Sequence, residues 1–454
     1  MKVSVRKIAG SPAVAFGKAM DIARRAGATI ANQTQLKKGR EYWATLGPGL
    51  TTGASDDDPS GIATYSQTGA QYGFQLLWLA AFTFPLMAIV QEMCARIGLV
   101  TGQGLAGNIR DRFPRWVLYS CTSLLLVANT LNIGADLGAM ARATQLLAGN
   151  VNFYSLLLGF TIFSFSLQVF APYKRYAKYL KWLALILLSY IFSALSLHLD
   201  WRSILFHGVI PSITFSRMQL FLICGILGTT ISPYLFFWQT SQEVEEEILK
   251  GKYTIELRKG ATNDEITRMR IDVWSGMFLS NIVMFFIIAA CAATLYAHGI
   301  GNIATAQDAA LALRPFAGDY AYLLFAVGII GTGLLAIPVL AGAASYALSE
   351  SFGWQSGLSY KLKEAKAFYA IIVSSTVIGF ALNFIGLDSI KALLYSAVVN
   401  GLVAPVILTI IVLMSSDKRI MGNRTNAPFV TFLGWATTAI MMLAGVATVL
   451  SLFW

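Results

Sequence analysis

Long apolar stretches dominate this chain, and short charged ones separate them. Apolar windows of roughly 20 residues, long enough to cross a ~30 Å hydrocarbon layer as a helix, recur eleven times. They lie near 43–70, 74–100, 116–146, 152–171, 176–198, 218–242, 272–297, 318–348, 366–386, 389–414 and 428–453. The pattern predicts an all-α integral membrane protein with about eleven transmembrane helices.

Loop charge tests that count. With the N-terminus on the cytoplasmic side, the inner segments are 1–42, 96–115, 172–181, 243–271, 349–366 and 415–427. They hold 29 of the 34 Lys and Arg residues. The outer loops keep Arg202, Arg217 and Arg314, with Arg142 and Lys391 in or beside spans. This asymmetry follows the positive-inside rule, and removing a middle span would destroy it. The C-terminus is then expected outside, in a bacterial inner membrane.

Two spans are broken. The first carries Ser55-Asp56-Asp57-Asp58-Pro59-Ser60-Gly61, and the sixth carries Gly225, Gly228, Thr229, Thr230, Ser232 and Pro233 at its middle. Spans 1 and 6 occupy matching places in two five-helix halves, 1–5 and 6–10. Paired discontinuous helices at corresponding positions point to an inverted-repeat transporter with its site near the midplane. The expected organisation is a basic arm at 1–42, a transporter core at 43–414, and a loop plus span 11 at 415–454.

Composition narrows the class. Hydrophobic residues make up 56% and charged residues 13%, about half the ~25% of a soluble domain. The first 40 residues are basic and contain no 7–15-residue apolar core ending at a small-residue site, so no cleavable signal is expected. This arm reads either as a segment attracted to anionic lipid headgroups, at about 1 kcal/mol per nearby basic residue, or as a disordered tail. The expected partner is the lipid bilayer, not a nucleic acid. No G-x-x-x-x-G-K-[ST] loop is present, which argues against an ATP-driven pump or a hydrolase. Cys94, Cys121, Cys224 and Cys291 lie in or beside apolar stretches without paired spacing and read as buried free thiols. His198, at the very end of span 5, His207 and His298 read as lying in short loops on one side of the membrane.

The acids in the first break carry the chemistry. An ionisable group at membrane depth costs at least ~2.5 kcal/mol to insert, so it implies function. Asp58 before Pro59 also reads as a helix N-cap, but a cap needs one acid, and three adjacent carboxylates need a cation to stay ionised together. The donors at the two breaks are carboxylates, hydroxyls and backbone carbonyls, a set suited to Mg²⁺, Mn²⁺ or Ca²⁺ rather than to softer metals. Mg²⁺ keeps several waters and needs few direct ligands; Ser55, Ser60, Gly61 and Ser232 are small enough to leave it room. The hydrophilic run at 242–249 reads as a solvated helix end, and Glu92 with Arg96 as an i,i+4 ion pair.

The run from Gly47 to Trp78 resembles the first-span signature of the NRAMP (natural resistance-associated macrophage protein) metal-transporter family. Echoes continue at 91–106, at 135–139 and at 415–426. The resemblance implies a LeuT-like fold and secondary transport of divalent metals, with the cargo ion in place of any cofactor. Asp58 and Pro59 match the family's Asp-Pro; Ser60 stands at its Gly and Gly61 at its metal-binding Asn. In span 6 the family's Met-Pro-His becomes Ser232-Pro233-Tyr234, the Thr229 carbonyl matches a backbone ligand position, and a second histidine becomes Gln239. The span-10 Gln falls at Ala397, with Asn400 nearly a turn away.

These departures resemble the NRAMP-related magnesium transporters. The expected metal set is Asp58, Asp57, Asp56, Ser55, Gly61, Thr229 and Ser232, with Ser60, Thr230, Tyr234, Gln239, Asn400 and Asp136 along the pathway. Mg²⁺, and Mn²⁺ with it, is expected to enter without proton coupling, one copy sufficing. The alternatives are a proton-coupled Mn²⁺/Fe²⁺ carrier of the usual NRAMP type, an Al³⁺ carrier, an organic-solute carrier of the same fold, or a non-transporting sensor.

Overall fold

Proline decides where the first span stops and restarts. In the computed structural model, helix Pro48–Asp56 (span 1a) ends at Asp57, and helix Pro59–Tyr72 (span 1b) begins with a proline at its first turn. Pro233 does the same in span 6, separating Arg217–Thr230 (6a) from Pro233–Leu249 (6b). A proline has no N–H for the carbonyl four residues back. Each break therefore frees one carbonyl, that of Ser55 in span 1 and that of Thr229 in span 6.

The structure describes residues 34–197, 199–301, 303, 306–385, 389–451 and 453. Two units emerge, Met1–Leu46 and Gly47–Trp454. The first contributes helix Thr34–Thr45; the rest of the basic arm, and His198, lie outside the described residues. The second holds all the spans, and no strand occurs among its described residues.

Nine helices among the described residues are long and apolar enough to cross a membrane. The broken first span and the 17-residue helix Lys366–Leu382 complete the predicted eleven. Span 2 is Trp78–Thr101, span 3 Arg115–Ala148, span 4 Phe153–Phe170 and span 5 Tyr173–Leu195. Span 7 is Asn263–Thr294, span 8 Ala306–Phe352, span 10 Ser389–Ser416 and span 11 Pro428–Ser451. Spans 4 and 11 leave large apolar side chains such as Ile162, Phe163, Leu443 and Val446 exposed, which suits a lipid-facing position. The four cysteines are buried and free, as their spacing predicts.

The broken helices sit inside. Both halves of span 1 pack against span 7, span 6a against span 10, and span 6b against spans 2 and 8. Span 1a approaches span 7 closely: a Cβ on Gly53 would overlap the backbone of Gly276. Span 7 also caps span 1a from outside the helix. Asp272 accepts the N–H groups of Gly47 (2.8 Å), Gly49 (2.7 Å) and Leu50 (3.0 Å), donors that a helix start leaves without internal partners.

The acidic run at 242–249 corrects the sequence reading. Glu243, Glu245 and Glu247 are buried, not solvated. Glu245 accepts the Tyr346 hydroxyl at 2.6 Å, the Leu358 N–H at 2.7 Å and the Ser359 N–H at 3.2 Å. Span 6b is thereby fastened to span 8 and to the loop that follows it. Glu247 pairs with Lys250 and Lys252. Glu245→Ala removes the acceptor of two buried donors, the Tyr346 hydroxyl and the Leu358 N–H, and of the Ser359 N–H and hydroxyl, so a loss of about 3 kcal/mol is expected, read as a lower melting temperature in detergent; an unchanged melting curve would refute the clasp. Glu92 keeps its predicted contact with Arg96 at 3.8 Å. Its shorter bonds go to Arg270 and the Trp274 indole N–H, both at 2.9 Å.

Candidate metal site at the two helix breaks

Asp58 begins span 1b as its N-cap. Its Oδ1 accepts the Gly61 N–H at 2.8 Å and the Ser60 hydroxyl at 2.5 Å. Its Oδ2 accepts Asn132 Nδ2 of span 3 at 2.7 Å. The cap expected from the sequence is therefore present, and the same carboxylate ties the break to span 3.

The other acids are arranged differently. Asp56 accepts the Ser280 hydroxyl of span 7 at 2.8 Å through Oδ2, while its Oδ1 has no partner. Neither oxygen of Asp57 has one. All three residues are at most 1% exposed, and among the described residues no Lys or Arg pairs with them. Buried, unpaired carboxylates are too costly to keep ionised alone, and an arriving cation removes that conflict. The three do not converge with other acids, cysteines or histidines on one point: among the described residues no group of three such side chains is placed to hold a metal.

Span 6 brings its break alongside. Ser232 is the N-cap of span 6b, but its hydroxyl makes no capping bond and has no partner. Tyr234 donates its hydroxyl to the Ser55 carbonyl at 2.7 Å, the carbonyl that Pro59 left free. The Thr230 hydroxyl lies 3.4 Å from that of Tyr65. Thr229 meets Gly61 directly: a Cβ at position 61 would lie 3.0 Å from Thr229 Oγ1 and 3.1 Å from the Asp56 carbonyl oxygen. The space expected at Gly61 is therefore filled by Thr229, which corrects the idea that this glycine widens the site.

The pathway residues are all buried. Gln239 donates to Glu243 at 2.9 Å. Asn400 Oδ1 and both oxygens of Asp136 have no partner. Sequence reasoning missed Asn132 and Ser396, whose hydroxyl donates to Asn132 Oδ1 at 2.7 Å. A signal was present: Asn129, Asn132 and Asp136 recur at i, i+3 and i+7, one polar face on an otherwise apolar helix.

Two discontinuous helices facing each other inside a scaffold of continuous ones define the class, a LeuT-like membrane transporter fold. Solved structures agree. The Eremococcus coleocola manganese transporter superposes with a TM-score of 0.69 at 19% identity, covering 91% of this chain and 87% of that one. The nucleobase-cation-symport-1 family transporter Mhp1, closed around bromovinylhydantoin, gives 0.60 at 14% identity, with coverage of 89% and 91%. MhsT with L-phenylalanine gives 0.58 at 14%, with coverage of 89% and 98%.

The sequence then settles the family. Residues 49–451 match the family model described as natural resistance-associated macrophage protein-like, and the chain belongs to the NRAMP family. The divalent metal cation transporter MntH of Yersinia enterocolitica is 26% identical over 402 residues, covering 86% of this chain and 90% of the relative. Its counterpart in Klebsiella pneumoniae is 25% identical over 406 residues, with coverage of 88% and 92%.

Proposed function

We propose that this protein carries hard divalent cations, Mg²⁺ foremost and Mn²⁺ with it, into the cytoplasm of a bacterial cell by alternating access and without proton coupling. The observation that carries this reading is the set of buried, unpartnered oxygens on Asp56, Asp57 and Ser232 at the two breaks. They stand beside Asp58 and two proline-freed carbonyls, with no sulfur or imidazole in either break. Membership of a family whose relatives are divalent metal cation transporters supports the cargo class.

In this reading Asp58 is the primary ligand, the Thr229 carbonyl and the Ser232 hydroxyl complete the near side, and Asp57 and Asp56 hold the cation's water. Ser55 and Gly61 contribute backbone, and the N-terminus lies in the cytoplasm. Oxygen donors favour a hard ion that sheds its water reluctantly. A thioether at position 232 would shift the preference toward softer ions.

Purified protein in liposomes tests this. Mg²⁺ influx without internal acidification is expected, and Ser232→Met is expected to gain Mn²⁺ and Cd²⁺ transport relative to Mg²⁺. Absence of divalent flux in the wild type would overturn the reading. Acidification that tracks Mg²⁺ would favour proton coupling instead, with Asp136, both of whose oxygens lack partners, as the carrier.

A further inference from the structure

Asn132 lies between two polar neighbours on different spans, wholly buried. Its Nδ2 donates to Asp58 Oδ2 at 2.7 Å, and its Oδ1 accepts the Ser396 hydroxyl at 2.7 Å. The Ser396 hydroxyl also lies 2.8 Å from the Leu393 carbonyl oxygen. A hydroxyl has one proton and two lone pairs, so Ser396 can give its proton to Leu393 and accept from Asn132 instead. The Ser396 end of the carboxamide is therefore satisfied in either orientation. The terminal torsion of an asparagine is broad and roughly two-fold, so a half-turn exchanges Oδ1 and Nδ2 with little movement of other atoms.

The Asp58 end is not indifferent. In the orientation seen, an N–H faces the carboxylate. After the half-turn two oxygens face each other, an arrangement that a cation stabilises and its absence penalises. The spacing fits: Mg²⁺–oxygen distances of about 2.0–2.1 Å place neighbouring corners of an octahedron about 2.9 Å apart, close to the 2.7 Å already separating Asn132 Nδ2 from Asp58 Oδ2. Position 61 cannot offer a side-chain oxygen, and Thr229 fills the space where one would begin.

We propose that Asn132 is a cation-contacting residue, its carboxamide turning over on loading so that Oδ1 joins Asp58 in holding the divalent ion while Nδ2 passes to Ser396. This rests on the divalent-cation reading above. It moves the neutral oxygen from span 1 to span 3, so that the ion bridges the broken helix and the scaffold.

Three variants test it: Asn132→Asp, Asn132→Leu and Ser396→Ala. Each is measured for half-saturating Mg²⁺ in liposome uptake and for the Mg²⁺-induced rise in melting temperature of the full chain in detergent. Leucine offers no oxygen, so half-saturation is expected to rise at least ~10-fold. Aspartate offers oxygen in both orientations, so half-saturation stays within about threefold of wild type. Its metal-free melting temperature falls, because two carboxylates face each other, and Mg²⁺ restores more than it adds to wild type. Ser396→Ala removes the receiver for Nδ2 and raises half-saturation several-fold, a readout that survives if Asn132→Leu does not fold. Equal loss of affinity in Asn132→Asp and Asn132→Leu would mean that only the N–H matters and would overturn the proposal. Wild-type affinity in all three would overturn it too. Absence of wild-type flux would instead overturn the cation reading beneath it.

Discussion

Asp58→Asn is expected to fold like the wild type and to transport at least about 100-fold less divalent cation. That loss is taken as larger than the 10–100-fold typical of outer-shell partners because Asp58 is the primary ligand in our reading. Asparagine is as good an N-cap as aspartate, so the Gly61 N–H and the start of span 1b keep their acceptor. What disappears is the negative charge and one acceptor oxygen, the one that Asn132 Nδ2 now holds at 2.7 Å. Asp58→Ala removes the cap as well, at an added cost of about 1 kcal/mol, and strands the Asn132 amide. The pair separates ligand from scaffold: alanine lowers both flux and melting temperature, asparagine mainly flux. Uptake by Asp58→Asn above half the wild-type rate would remove Asp58 from the cargo site.

The second large effect concerns Asp272. This side chain holds span 1a to span 7 through the N–H groups of Gly47, Gly49 and Leu50. Bonds to an ionised acceptor are among the stronger ones, and losing all three in Asp272→Ala is expected to cost about 3 kcal/mol. Ser55 and Asp56 at the end of span 1a are fully buried, and that cost falls on the arrangement in which they are. At ~1.4 kcal/mol per decade, the population with span 1a released rises by roughly 100-fold. A Ser55→Cys reporter reads this directly, since the four native cysteines are buried and contribute little labelling. Faster thiol modification in the Asp272→Ala background is the expected result. An unchanged rate would show that the close Gly53–Gly276 packing holds the span without the carboxylate.

Much of this was legible in the sequence, for identifiable reasons. Hydrophobic length reports spans because a bilayer fixes the length required, and proline reports breaks because it removes a specific hydrogen bond; hence Asp57 to Pro59 and Ser232 to Pro233 stood out. Asp58 was legible as a cap because capping is local. Asp272 was not, because an acid near the start of a span looks ordinary until span 1a arrives more than 200 residues earlier in the chain to use it. Glu245 misled for the same reason: its partners, Tyr346, Leu358 and Ser359, belong to span 8 and the loop behind it. Asn132 sat in a helix apolar on most sides, and only its spacing from Asn129 and Asp136 marked a polar face. Gly61 misled in another way, since a missing side chain says nothing about which neighbour takes its place.

The bond from Tyr234 to the Ser55 carbonyl has a thermodynamic consequence. A phenol, unlike an imidazole, does not take up and release protons near neutrality. With tyrosine at this position the cycle, in our reading, carries the charge of its cargo alone. The membrane voltage then fixes the steepest gradient the carrier can sustain. At 100 mV two charges gain about 4.6 kcal/mol, or about three decades of concentration at ~1.4 kcal/mol each. In a depolarised cell that ratio collapses to one, and the same protein drains the ion it had accumulated.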